Sequence, residues 1–96
     1  MKNKVLIIQA NYYKDISTAL LKSAKNELKN FAKISIISVP GVFEIPVVIS
    51  KNLKKYDGFV ALGCVIKGQT PHFDFISKST TDAIMNISIE SKKPVG

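Results

Sequence analysis

The chain holds one histidine, His72, which follows Lys67-Gly-Gln-Thr-Pro71 at the end of a long apolar run. Thr70 is a good N-cap, and Pro71 suits a first helical position, where its missing N–H costs nothing. The spacing therefore predicts a helix opening at Thr70. Free backbone N–H groups and the positive end of that helix's dipole would gather beside Gln69 and Thr70, with Lys67 nearby, a combination that holds phosphate or carboxylate. His72 falls in the first helical turn, where the dipole opposes a second positive charge, so it is expected to stay neutral near pH 7 and accept a proton. Proton transfer beside a bound phosphate is the chemistry these residues suit. The bland alternative is a first-turn histidine that only caps or packs, on a turn that holds nothing.

Two other stretches carry candidate residues. In Pro40-Gly-Val-Phe-Glu-Ile-Pro46, Gly41 permits a positive φ or close approach of a ligand to the backbone, and Glu44 lies near a helix N-terminus, where it binds a ligand or merely supports the helix. In Asn11-Tyr-Tyr13, Tyr12 is placed to stack on a planar ring, the alternative being packing with a wet hydroxyl. The single cysteine, Cys64, lies within the apolar run and has no internal disulfide partner. It reads as a small buried residue in a reducing, cytoplasmic setting, with no adjacent base to make it a nucleophile.

The elements that must position these residues alternate along the chain. Residues 5–8 read as a buried strand. Asp15 or Ser17 can cap a helix with Leu20, Ala24, Leu28 and Phe31 on one stripe, while Lys22, Lys25, Lys29 and Lys33 form a solvated face opposite. Residues 34–39 are a second strand, and Phe43-Glu44-Ile-Pro46 opens a helix continuing through Val47, Val48, Ile49 and Leu53. That helix is apolar around much of its circumference, so its second apolar side is expected to meet another subunit. Residues 59–66 are too continuously apolar for a strand with one wet face and read as a central parallel strand. The following helix carries Phe73, Ile76, Thr80, Ala83 and Ile87 on one stripe and runs to about Glu90, after which Val95-Gly96 starts another strand.

The order β-α-β-α-β-α with right-handed crossovers implies an α/β fold: a three-layer sandwich with a parallel sheet in the order 2-1-3 and helices on both faces. Ligands of such sheets bind outside the carboxyl ends of the strands, at the switch point between strands one and three. Tyr12, the segment Gly41-Val-Phe-Glu44, and Val65-Ile-Lys-Gly68 with His72 converge there. A planar, polyhydroxylated substrate with a phosphorylated partner would suit them.

Composition narrows the partners. The net charge of +7 comes entirely from lysine, since the chain contains no arginine. Base-edge and phosphate readers rely on the guanidinium fork, so this surface speaks for solubility or general anion attraction rather than nucleic-acid recognition. No stretch approaches the length needed to cross a bilayer, the start lacks the pattern of a signal peptide, and no metal or cofactor motif stands out. Ninety-six residues make one small domain of marginal stability unless subunits associate.

The segments Val39-Pro-Gly-Val-Phe-Glu-Ile-Pro46 and Ala61-Leu-Gly-Cys-Val-Ile-Lys-Gly-Gln-Thr-Pro-His-Phe-Asp74, with Tyr56-Asp57 and Pro94-Val95, resemble the lumazine synthases of riboflavin biosynthesis, and the likeness spans nearly the whole chain. The resemblance implies a flavodoxin-like fold. It also implies condensation of 5-amino-6-(ribitylamino)uracil with 3,4-dihydroxy-2-butanone 4-phosphate, releasing phosphate and water without a cofactor. Carried over by position, Tyr12 stacks on the pyrimidine, where the family usually has Phe or Trp. Gly41, Val42 and Glu44 bind the ribityl chain, and Val65 and Ile66 the pyrimidine edge. Gln69 and Thr70 hold phosphate, and His72 transfers protons. Homo-oligomers, pentamers or shells of pentamers, are implied as well.

Two departures qualify this. The family's first-strand exit usually reads Arg-Phe-Asn, whereas this chain has Asn11-Tyr-Tyr13, which lacks the cation. Residue 96 also precedes most of the family's fourth strand and closing helices, which provide an aromatic lid and a phosphate-gripping arginine. The expectation is one C-terminally truncated domain over residues 1–96, with an open, phosphate-weak site and an unpaired outer edge on strand three. A catalytically weak or inactive binder of lumazine or flavin, or an assembly subunit, is the alternative. An archaeal-type riboflavin synthase is a third reading, against which the Thr-Pro-His-Phe motif argues.

Overall fold

A computed structural model of the protein describes residues 3–10, 14–63 and 73–96. Its elements are β1 (Asn3–Ala10), α1 (Lys14–Leu28), β2 (Ala32–Val39), a 3-10 turn (Val42–Glu44), α2 (Ile45–Lys51), β3 (Gly58–Leu62) and α3 (Phe73–Ser91). The strands form a parallel sheet in the order β2-β1-β3, as the alternation of elements predicts. Ile8, for example, pairs with Ile37 on one side and Ala61 on the other.

β1 is flanked by strands at both edges and by helices on both faces, so Leu6, Ile7 and Ile8 are wholly buried. Strand alternation divides them. Leu6, Ile8 and Ala10 join Val39, Ile45, Ile49 and Phe59 in one core cluster, which Ile84 and Ile87 of α3 extend. Ile7 points to the other face, where α1 packs across all three strands. This is the flavodoxin-like sandwich: α1 on one side of the sheet, α2 and α3 on the other.

Several boundaries differ from the sequence reading. β1 and β2 both start earlier than the apolar runs do, because backbone pairing continues through Asn3 and Ala32. α1 ends at Leu28, and the Phe31 N–H bonds to the Leu28 carbonyl, so Phe31 leaves the helical stripe and is 73% exposed. Ser17 does not cap α1. It lies inside the first turns, buried, and donates its hydroxyl to the Ala10 carbonyl at 2.7 Å, tying the helix to the exit of β1. α2 stops at Lys51, short of Leu53, where the Asn52 side chain donates to the Val48 carbonyl at 2.7 Å and closes the helix. Beyond residue 63, the stretch expected to continue β3 lies outside the described residues.

The outer edge of β3 is not bare. Phe59 and Val95 form a parallel bridge. Phe59 N–H donates to the Pro94 carbonyl at 3.0 Å, and Ala61 N–H to the Gly96 carbonyl at 2.8 Å. The turn that brings residues 94–96 there starts at Lys92, in the left-handed region at φ 60°, and the next residue anchors it: the Lys93 ammonium donates to the carbonyls of Leu53 and Tyr56. Hydrogen bonds from a charged donor contribute about 1.5–3 kcal/mol. Lys93→Met should therefore lower the thermal midpoint by several degrees, about 4–8 °C per kcal/mol for a domain of this size, in a circular dichroism melt. An unchanged midpoint would show that the anchor is dispensable. By contrast, the Lys78–Asp82 pair on α3, at 2.8 Å, holds the lysine above its usual pKa through a hydrogen bond and charge attraction, but both side chains are solvated and it contributes little to stability.

Candidate functional site

Parallel strands bring their carboxyl ends to one edge of the sheet. Ala10 is paired with Val39, and β3 leaves the sheet alongside them through Leu62 and Gly63. At the β2 exit, Gly41 has φ −149° and ψ 167°, ordinary extended backbone, so a positive φ is not what glycine supplies here. It supplies room. A Cβ at residue 41 would sit 3.2 Å from Glu44 Oε2. The 3-10 turn, closed by Glu44 N–H to the Gly41 carbonyl at 3.2 Å, folds the exposed carboxylate back over the glycine. The result is an acceptor group and a stretch of accessible backbone at the mouth of the sheet, which suits hydroxyl-bearing ligands.

Val42 ties this turn to the third strand. A Cβ at Gly63 would overlap Val42 Cγ1 and would touch Ala10 Cβ at 3.6 Å, so the exits of all three strands meet at Gly63. Gly63→Ala must push Val42 aside, and overpacking of this kind costs about 1–3 kcal/mol. Both the thermal midpoint and the affinity for a ligand of the crevice should fall. A melt and a titration unchanged from the parent would contradict the close packing.

Beside Val42 lies a cavity of about 320 Å³, walled by Val42 and Ile45, by Ala61 and Gly63, and by Ser77, Thr80, Thr81 and Ile84 of α3. The sequence reading placed Thr80 on the buried stripe of α3, and it is 8% exposed. What that reading missed is the polar content of this face. Among the described residues the Thr80 hydroxyl oxygen has no hydrogen-bond partner, and Ser77 and Thr81 bring two more hydroxyls to the same wall. The visible signal was a serine and two threonines within five residues of an otherwise apolar helical face.

Of the predicted site residues, Gly41, Val42 and Glu44 lie on or beside the 3-10 turn at the exit of β2. Tyr12, Val65, Ile66, Gln69, Thr70 and His72 lie outside the described residues, as do Cys64 and Lys67. Among the described residues no group of three His, Cys, Asp or Glu side chains is placed to hold a metal ion, and no helix is long and apolar enough to cross a membrane.

A parallel α/β sheet in the order 2-1-3 with helices on both faces defines a flavodoxin-like fold, a class whose ligands bind outside the carboxyl ends of the strands. The family model described as 6,7-dimethyl-8-ribityllumazine synthase matches residues 2–96, and the chain belongs to that family. It is 41% identical over 103 residues to the 6,7-dimethyl-8-ribityllumazine synthase of Agrobacterium fabrum, covering 99% of this chain and 70% of the relative. It is 44% identical over 100 residues to that of Bartonella henselae, covering 99% and 64%. To 6,7-dimethyl-8-ribityllumazine synthase 1 of Rhodopseudomonas palustris it is 40% identical over 101 residues, covering 97% and 62%. The chain thus spans roughly two thirds of the length of the relatives it matches.

Proposed function

We propose that this chain acts as a lumazine synthase, condensing 5-amino-6-(ribitylamino)uracil with 3,4-dihydroxy-2-butanone 4-phosphate to 6,7-dimethyl-8-ribityllumazine and releasing phosphate and water. The observation that carries the reading is the Glu44 carboxylate folded over Gly41 at the exit of β2, in a chain about 40% identical along its length to synthases of that name. In this assignment the ribityl chain lies along Gly41 and Val42, with its hydroxyls donating to Glu44. Tyr12 stacks on the pyrimidine, and the backbone at Val65 and Ile66 meets its edge. Gln69 and Thr70 receive the phosphate at a helix N-terminus.

The chemistry then asks little of the protein beyond placement and proton transfer. The pyrimidine's primary amine attacks the ketone and an imine forms with loss of one water. His72 moves protons as phosphate is eliminated, which unmasks a second carbonyl, and the ribityl-bearing nitrogen attacks it and closes the ring with loss of a second water. Holding both reactants in one crevice supplies much of the acceleration. No cofactor enters this scheme.

Homo-oligomerisation and a cytoplasmic location belong to the same reading. Phe43 in the 3-10 turn, Val47 on α2, and Met85 and Ile89 on α3 are each about half exposed or more, apolar surface that a second copy would cover. Mixing the purified chain with both substrates tests the assignment. Lumazine absorbance should grow with one phosphate released per lumazine. Binding of the pyrimidine with no condensation product would instead favour a non-catalytic binder.

A further inference from the structure

At the opposite end of the sheet, about 20 Å away along β1 at 3.3 Å per residue, a groove of about 520 Å³ is lined by Lys4, Lys33, Ser35, Lys54, Lys55 and Tyr56. Three segments remote in sequence meet there: the start of β1, the start of β2 and the α2-to-β3 connection. Lys4 and Lys33 are direct cross-strand partners. Like charges so placed repel, and Lys54 and Lys55 add two more. The carboxylate close to them is Asp57, which accepts the Lys4 backbone N–H at 2.7 Å while its own N–H returns to the Lys4 carbonyl at 2.7 Å. Among the described residues none of the four ammonium groups has an ion-pair partner.

We propose that this groove binds an oligophosphate, inorganic or the phosphate tail of a nucleotide. Four lysines lining one groove, with one carboxylate close by, leave a net positive site that a multiply charged anion neutralises. Lysines act as point charges without the planar fork of arginine, so the groove reads charge rather than shape and takes the phosphates irrespective of what they are attached to. Its place at the amino ends of the strands separates it from the crevice of the proposed condensation.

Calorimetric titration with sodium tripolyphosphate at constant ionic strength tests this, using the parent chain, Lys33→Gln/Lys54→Gln, and the control Lys22→Gln/Lys25→Gln on the solvated face of α1. Removing two groove charges deletes two close Coulomb contacts and should weaken binding about tenfold or more, whereas the control should change it less than about twofold. ATP should bind the parent as well as tripolyphosphate does. Equal losses in the two variants would mean general charge screening and would overturn the assignment, as would absence of tripolyphosphate binding to the parent. ATP binding in the absence of tripolyphosphate binding would overturn the charge-only reading.

Discussion

Replacing His72 with alanine should lower turnover by roughly 10²–10⁴-fold, the range that a positioned general acid–base contributes, while affinity for the pyrimidine stays within a few-fold. The reason lies in the division of labour within the proposed site. The pyrimidine and its ribityl chain are assigned to Tyr12, the backbone near Val65 and Ile66, and the Gly41 to Glu44 turn, none of which depends on the imidazole. The proton transfers are assigned to one side chain, and the chain has no second histidine to replace it. Steady-state kinetics with a separate binding titration separate the two. A fall in kcat at constant pyrimidine affinity supports the assignment, while equal loss of both would make His72 a residue that holds the site's shape. Glu44→Gln gives the complementary pattern, weaker ribityl binding with a smaller effect on kcat, because the amide keeps one acceptor but loses the charge that strengthens the hydrogen bond.

Ile8→Ala should have the largest effect on stability. Ile8 is fully buried at the centre of β1, in the cluster that joins Ile45 and Ile49 of α2 to Phe59 of β3. Truncation there removes apolar contact and leaves a cavity, at a cost of about 2–5 kcal/mol. Set against a total of about 5–15 kcal/mol for a domain, that is a large part of what holds 96 residues together. The thermal midpoint should fall on the order of 10 °C or more at about 4–8 °C per kcal/mol. Phe31→Ala, at a side chain 73% exposed and outside α1, should shift it by little. A Phe31 substitution as damaging as the Ile8 one would mean that another surface covers Phe31 in solution.

The sheet order and the layering were legible in the residues because they follow from the alternation of apolar strand runs with 3.6-periodic helices and from the handedness of crossovers. Local signals at the ends of elements were less reliable, and in each case a tertiary contact decided the outcome. Ser17 has a capping side chain, but the Ala10 carbonyl at the β1 exit takes its hydroxyl. Phe31 fits the helical period, yet the chain must turn after Leu28 to enter β2 at Ala32. Gly41 was read as allowing a positive φ or the close approach of a ligand to the backbone; its backbone is extended, so the first does not hold, and the Glu44 carboxylate sits close to where a side chain would go. The outer edge of β3 was expected to be unpaired, because the sequence pattern does not show that Lys92 turns the chain and Lys93 anchors it there. Gly63 carried no signal of its own beyond lying in an apolar run, although the three strand exits pack against it.

The claim on which the rest depends is that substrate occupies the carboxyl ends of the strands. Amide chemical-shift mapping of 6,7-dimethyl-8-ribityllumazine binding tests it most directly. The account predicts that the shifts cluster on Gly41, Val42 and Glu44 and at the β1 and β3 exits, with Lys33, Ser35 and Tyr56 unmoved. Shifts confined to that opposite end, with the Gly41 to Glu44 turn silent, would contradict it.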